Sequence, residues 1–152
     1  MINNLLVQPS GKILISGELS RIANVTTTGV TRIDEIGEPD RAFLSPVMGP
    51  SDSVSAMTCA EDGSIVIGGE FMTDTSAMKY YIVGLDAEGT VEDWFEAEYP
   101  DGKVLVVETL QDGKILAGGE FKEFRDQALP GLTLLNDDGT INQDFFSGMY
   151  SL

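Results

Sequence analysis

The sequence predicts an all-β fold made of three repeated antiparallel meanders. Three observations carry that prediction. The segments PSGKILISGEL at 9–19, EDGSIVIGGEF at 61–71 and QDGKILAGGEF at 111–121 repeat one another without a gap. Acidic-glycine and serine-glycine turns punctuate runs rich in Ile, Val and Leu, which marks hairpins. No apolar periodicity of the helical kind lasts three turns.

The copies align on Gly11, Gly63 and Gly113. Six residues on stand Gly17, Gly69 and Gly119, followed each time by Glu18, Glu70 or Glu120 and then by Leu19, Phe71 or Phe121. A second turn glycine follows at Gly37, Gly89 and Gly139, and six residues beyond it a phenylalanine, Phe43, Phe95 or Phe145. This divides residues 1–152 into repeats 1–43, 53–95 and 104–146, joined by linkers 44–52 and 96–103 in a single domain.

The first strand of each repeat is INNLLV at 2–7, SVSAMTC at 53–59 or VLVVET at 104–109. The first turn glycine permits a positive φ, and Asp62, Asp112 or Ser10 beside it can bond to nearby backbone. The second strand covers 12–16, 64–67 and 114–117. Gly68-Gly69 and Gly118-Gly119 end it, which suits a bulge or a close backbone approach, and Ser16 shows that the first of the two sites takes a small side chain. Loops at 20–28, 72–79 and 122–130 differ between copies and are the natural place for binding. A third strand follows at 29–34, 80–86 and 132–136, then a turn, then a short fourth segment delivering the phenylalanine.

A four-stranded sheet of this kind cannot bury both faces alone, and a repeat of about 50 residues points to blades stacked face to face. The expected architecture is therefore β-propeller-like, with three four-stranded blades. Phe43, Phe95, Phe145, Phe71 and Phe121 are the expected inter-blade core. Propellers normally close with about four to eight blades. Three are too few, so two chains are expected to join as a six-bladed ring, with a homodimer or a larger protein assembly as the partner. A distorted three-blade trefoil is the alternative.

QPSGKILISG, EDGSIVIGGEF and QDGKILAGGEF, with LDAEGTVEDWF and LNDDGTINQDF downstream, resemble the delta-60 repeat, a β-propeller-like repeat of bacterial and phage proteins. Gln8, Pro9, Gly11, Lys12, Ile13, Leu14 and Gly17 carry the likeness in the first copy. In the third copy 112–116, Gly118, Gly119, Phe121, Leu135, Asn136, Asp138, Gly139 and Phe145 carry it. The first copy departs at Ser10, Ser16 and Leu19. The resemblance implies a fold and brings no catalytic residues. It implies a non-catalytic structural or protein-binding module, with a phage virion component as one setting. A carbohydrate- or receptor-binding module is the alternative.

Composition narrows the chemistry. The chain has 25 acidic and 9 basic residues, a formal net charge of -16, which repels nucleic acid and anionic lipid. It has no histidine, which removes His-dependent triads and the usual zinc sites. Cys59 is the only cysteine and aligns with Val7 and Thr109, as a buried small side chain would. No run is long and apolar enough to span a bilayer and MINNLLVQPS lacks the basic region of a signal peptide. The expectation is a soluble protein, cytoplasmic or virion-associated.

Glu18, Glu70 and Glu120 form the one repeated carboxylate set, and a ring would place them on one circle where calcium is the fitting cation. The bland reading is three strand-end charges that discourage edge pairing. DAEGTVED and NDDGTINQD lack the full alternation of a calcium loop and read as Asx-type turns. Tyr80, Tyr81, Trp94 and Tyr99 do not repeat in register and are the candidate partner or glycan surface.

Overall fold

The computed structural model describes residues 1–17, 19–45, 47, 52–73, 76–92, 100–124 and 126–145, with the side chains of 73 and 76–79 excepted. Glu18, Trp94, Phe95 and Tyr99, and parts of both linkers, lie outside the described residues.

Among the described residues thirteen strands follow in order. They are β1 (Ile2–Val7), β2 (Ile13–Gly17), β3 (Arg21–Ile22), β4 (Val25–Thr26), β5 (Val30–Ile33), β6 (Ser53–Cys59) and β7 (Ile65–Thr73). Then come β8 (Ser76–Leu85), β9 (Val104–Thr109), β10 (Ile115–Gly119), β11 (Glu123–Phe124), β12 (Gln127–Ala128) and β13 (Leu132–Leu135). Each repeat forms one antiparallel sheet: β1-β2-β5, β6-β7-β8 and β9-β10-β13. The expected fourth strand is corrected by the structure. Among the described residues it is reduced to one isolated bridge per repeat, Ile33 to Pro39, Leu85 to Val91 and Leu135 to Ile141. Each bridge lies just past a tight turn, where Asp34, Asp86 or Asn136 pairs through its backbone N–H with the residue four ahead.

Two of the divergent loops are also ordered. They form the ribbons β3-β4 and β11-β12, and in the middle repeat β7 and β8 simply run on past the bulge.

The turn glycines explain themselves. Gly11, Gly63, Gly113, Gly37, Gly89 and Gly139 all have φ between 81° and 94°. Asp62 and Asp112 keep negative φ, so the loop is a type I turn with glycine in the left-handed position rather than a two-residue turn. Asp62 Oδ1 accepts from the Ser64 N–H at 2.9 Å and fixes the turn.

The glycine ending the second strand is stricter. A Cβ on Gly17, Gly69 or Gly119 would lie 2.1, 2.0 and 2.0 Å from the carbonyl oxygens of Met1, Ser53 and Lys103. The register slips there in all three sheets, a β-bulge set by the first strand pressing on bare backbone. The preceding site is looser: Ser16 fits, and a Cβ on Gly118 would meet nothing nearer than 3.6 Å.

Packing follows from the period of two. One face of the middle sheet joins Leu14, Val30, Phe43, Val47, Val54, Ile65, Ile67, Phe71, Val83 and Leu85 in a core shared with the first sheet. Its other face puts Ala56, Val66 and Ile82 against Val104, Val107, Ile115, Ala117, Phe121 and Leu135 of the third repeat. Phe121 and Phe124 meet edge to face at 4.9 Å in that core. The middle sheet is thus buried on both sides, and Gly68 permits the close approach, since a Cβ there would sit 2.7 Å from Val104 Cγ1.

Candidate functional site

The seam between the first two sheets is locked by Arg32. It is 1% exposed and is among the largest fully buried side chains of the described residues. Alternation on β5 turns it toward the middle sheet, beside Val30. Its Nε donates to Asp40 Oδ2 at 3.0 Å, and one terminal nitrogen donates to Gln8 Oε1 at 3.1 Å and to the Ala87 carbonyl at 2.6 Å. The other terminal nitrogen pairs with Asp40 at 2.9 Å and with Glu88. The guanidinium also lies 5.0 Å from the centre of the Phe43 ring. Lys12 reaches the same Asp40 carboxylate at 2.6 Å. That hydrogen bond from Lys12, outweighing the opposing desolvation and helped by the Ala42 N–H and the Arg32 charge, holds the Asp40 carboxyl down at about 2. Nothing in the hairpin pattern singles out Arg32. Its signal is a charged residue alternating with Val30 on a strand face that must be buried.

The second seam uses different chemistry. The Thr58 hydroxyl donates to Thr109 Oγ1 at 3.1 Å and accepts from the Thr109 N–H at 3.0 Å. At the first seam the Asn4 amide donates to the Ser55 carbonyl at 2.9 Å.

Two faces remain that carry no further sheet among the described residues. On the first sheet Leu5, Val7, Ile13, Ile15, Thr31 and Ile33 share the outer face by register. Leu5 is 66% and Val7 64% exposed. On the third sheet the outer face holds Val106, Glu108, Leu116, Leu132 and Leu134, with Val106 60% exposed. The repeat alignment gives these faces a meaning. Leu5, Ile13, Ile15 and Ile33 occupy the positions of Met57, Ile65, Ile67 and Leu85, which pack on the preceding sheet. Val106, Leu116 and Leu132 occupy the positions of Ala56, Val66 and Ile82, which pack on the following one. The two end faces thus carry the repeat positions that are mated at the internal seams.

The substitutions at these ends are matched. Gln8 and Arg32 of the first seam correspond to Leu110 and Leu134 on the third sheet, while Glu88 corresponds to Ile36, which is 80% exposed. The polar clamp and its carboxylate thus have apolar counterparts at the two ends of the repeat array.

The sequence-predicted residues fall as follows. Phe43, Phe71 and Phe121 are buried, Phe43 and Phe71 in the first shared core and Phe121 in the second, while Phe145 is half-buried. Glu70 pairs with Lys103 at 2.9 Å, and Glu120 is exposed, its N–H donating to the Lys103 carbonyl. Among the described residues no three acidic or cysteine side chains are grouped to hold a metal ion. Tyr80 and Tyr81 point to opposite faces of β8, each half-buried against one of the two cores. Cys59 is half-buried, its thiol pushed up by desolvation and donating to the Val7 carbonyl at 3.8 Å. Among the described residues no helix is long and apolar enough to cross a membrane.

Comparison with known proteins agrees with this geometry. No curated protein matches the chain. A family profile described as "Domain of unknown function (DUF5122) beta-propeller" matches residues 8–43 and 110–145. Those segments run from the first turn to the phenylalanine of the first and third repeats, and the middle repeat builds the same three-stranded sheet between them. Over these two segments the chain is a β-propeller-like domain, within an all-β arrangement of several antiparallel sheets.

Proposed function

We propose that the protein is a non-catalytic structural module that works by assembling with a second copy of itself. The third sheet of each copy packs on the first sheet of the other, and two such seams close a six-bladed ring. The observation that carries this reading is the pair of open faces, apolar and built from the same repeat positions as the mated internal faces. Head-to-tail joints close into rings or run on as filaments. With three sheets per chain, six is the only multiple of three within the usual span of about four to eight blades. The likeness to delta-60 repeats supports placing the ring in a larger protein particle, a phage virion being the natural setting. Glycan binding has no comparable support among the described residues, because Tyr80 and Tyr81 are turned against the cores.

The reading is tested by changing one face at a time. Val7→Glu and Val106→Glu each place a charge in the proposed joint. Both are expected to yield monomers with unchanged far-ultraviolet dichroism. A wild-type chain that is itself monomeric at micromolar concentration would refute the reading.

A further inference from the structure

The positions that clamp the first seam change together along the chain. Gln8, Arg32 and the acceptor Glu88 give way at the second seam to Ala60, Gly84 and Asp138, and at the open ends to Leu110, Leu134 and Ile36. Where Asp40 holds the guanidinium, the third repeat has Asn142, whose amide donates to Asn136 Oδ1 at 2.8 Å. None of the charges of Arg32, Asp40 and Glu88 is therefore carried over to the ends.

Two features give this change a meaning. Ends of repeat arrays that meet water are generally capped by polar faces. Here the trend is the reverse, since positions that are polar inside a closed seam turn apolar where the array ends, and Ile36 stands 80% exposed on its turn. The change also falls on both sides of the clamp at once. The donors are gone from the third sheet and the acceptor from the first. Those two sets of positions meet only where a third sheet packs on a first sheet, and within one chain the middle sheet stands between the two. The occupant that fits is a second copy of the chain.

We propose that Ile36 of one copy packs on Leu110 and Leu134 of a second copy, and that this apolar clamp decides which faces mate. The proposal rests on the ring reading above and names the contact that makes its joint selective. Offered the turn that carries Glu88, an open third sheet would meet a carboxylate with two leucines. Offered Ile36, the face that carries Arg32 would leave a buried guanidinium short of an acceptor. Exchange between internal seams and the joint between chains is thereby disfavoured. The joint is head to tail, because Ile36 and the two leucines lie on opposite ends of the stack.

The test uses two single variants of the whole chain. Ile36→Glu places the acceptor of the first seam on the first sheet, and Leu134→Arg places its donor on the third. Alone, each variant lays an unpaired charge in both joints of a ring, and its dimer Kd should rise at least about a hundredfold. Mixed, the two should form a heterodimer with a Kd within about tenfold of wild type. One of its joints is then unaltered, and the other sets the new carboxylate against the new guanidinium. Native mass spectrometry with one chain isotopically labelled reads the heterodimer directly. Leu110→Arg, at an exposed position, takes the place of Leu134→Arg if the latter lowers the melting temperature. Single variants that dimerise as tightly as wild type, or a mixture no tighter than the singles, would overturn the proposal and leave the dimer standing. A wild-type chain that is monomeric would overturn the ring reading and this proposal with it.

Discussion

Replacing Arg32 by methionine keeps an aliphatic stem in the first seam and removes the guanidinium. The loss can be worked from its partners. Asp40, the Gln8 amide oxygen and the Ala87 carbonyl each lose a charge-assisted bond in a place where the side chain is 1% exposed. Removing one partner of a buried ionic network generally costs about 3–5 kcal/mol. Two features pull this case to the low end: Glu88 is 57% exposed and can turn to water, and Asp40 keeps Lys12 at 2.6 Å. The expected destabilisation is about 3 kcal/mol, read by urea denaturation, with a fall in Tm of roughly 6–12 °C for a chain of this size. Wild type and variant should both lose stability in acid, because Asp40 owes its lowered pKa first to Lys12, which the variant keeps. The Asp40 carboxyl is held at about 2, below its unfolded value, so its contribution is present above about pH 4 and fades as pH falls toward 2. Solvent near the rim screens that contribution to about 1 kcal/mol. An Arg32→Met protein within about 0.5 kcal/mol of wild type at pH 7 would refute the view that this clamp holds the first seam.

Three further outcomes are expected. Thr133 is fully buried with its hydroxyl without a hydrogen-bond partner among the described residues, and the middle repeat has Val83 at that position, so Thr133→Val should stabilise the fold by about 1 kcal/mol in urea denaturation. Gly119→Ala forces a Cβ to within 2.0 Å of the Lys103 carbonyl and should cost about 2–3 kcal/mol, whereas Gly118→Ser should stay within about 1 kcal/mol; equal costs would contradict the bulge account. Gly68→Val should be worse than Gly118→Ser, because Gly68 faces Val104 and Val107 across a closed seam, and thermal denaturation of the two proteins side by side checks this.

Much of the fold is legible in the sequence because turns and alternation are local. The first strand of every repeat falls at the residues read from its apolar run, and all six turn glycines take the positive φ that their place after Asp, Ser or another turn residue requires. What fails is decided by tertiary contact. The short fourth segment has few residues past its turn, and among the described residues it makes a single bridge rather than a ladder. The ribbons β3-β4 and β11-β12 are too short for any periodicity to announce them. At the site level, alignment of the repeats drew attention to what recurs, namely the glutamates and phenylalanines. The informative positions are those that break the repeat: Arg32 against Gly84 and Leu134, and Gln8 against Ala60 and Leu110. Their meaning needed the register of the sheets, which puts Arg32 and Gly84 on the face turned to the following sheet and Leu134 on the outer face of the third.

The central claim is that the two open faces belong to one joint. Size-exclusion chromatography with light scattering, run on the wild-type chain over a range of concentrations, tests it most directly. The account predicts a mass of twice 16.4 kDa that holds down to micromolar protein. A mass of 16.4 kDa throughout, with the same chain fully folded, would contradict it.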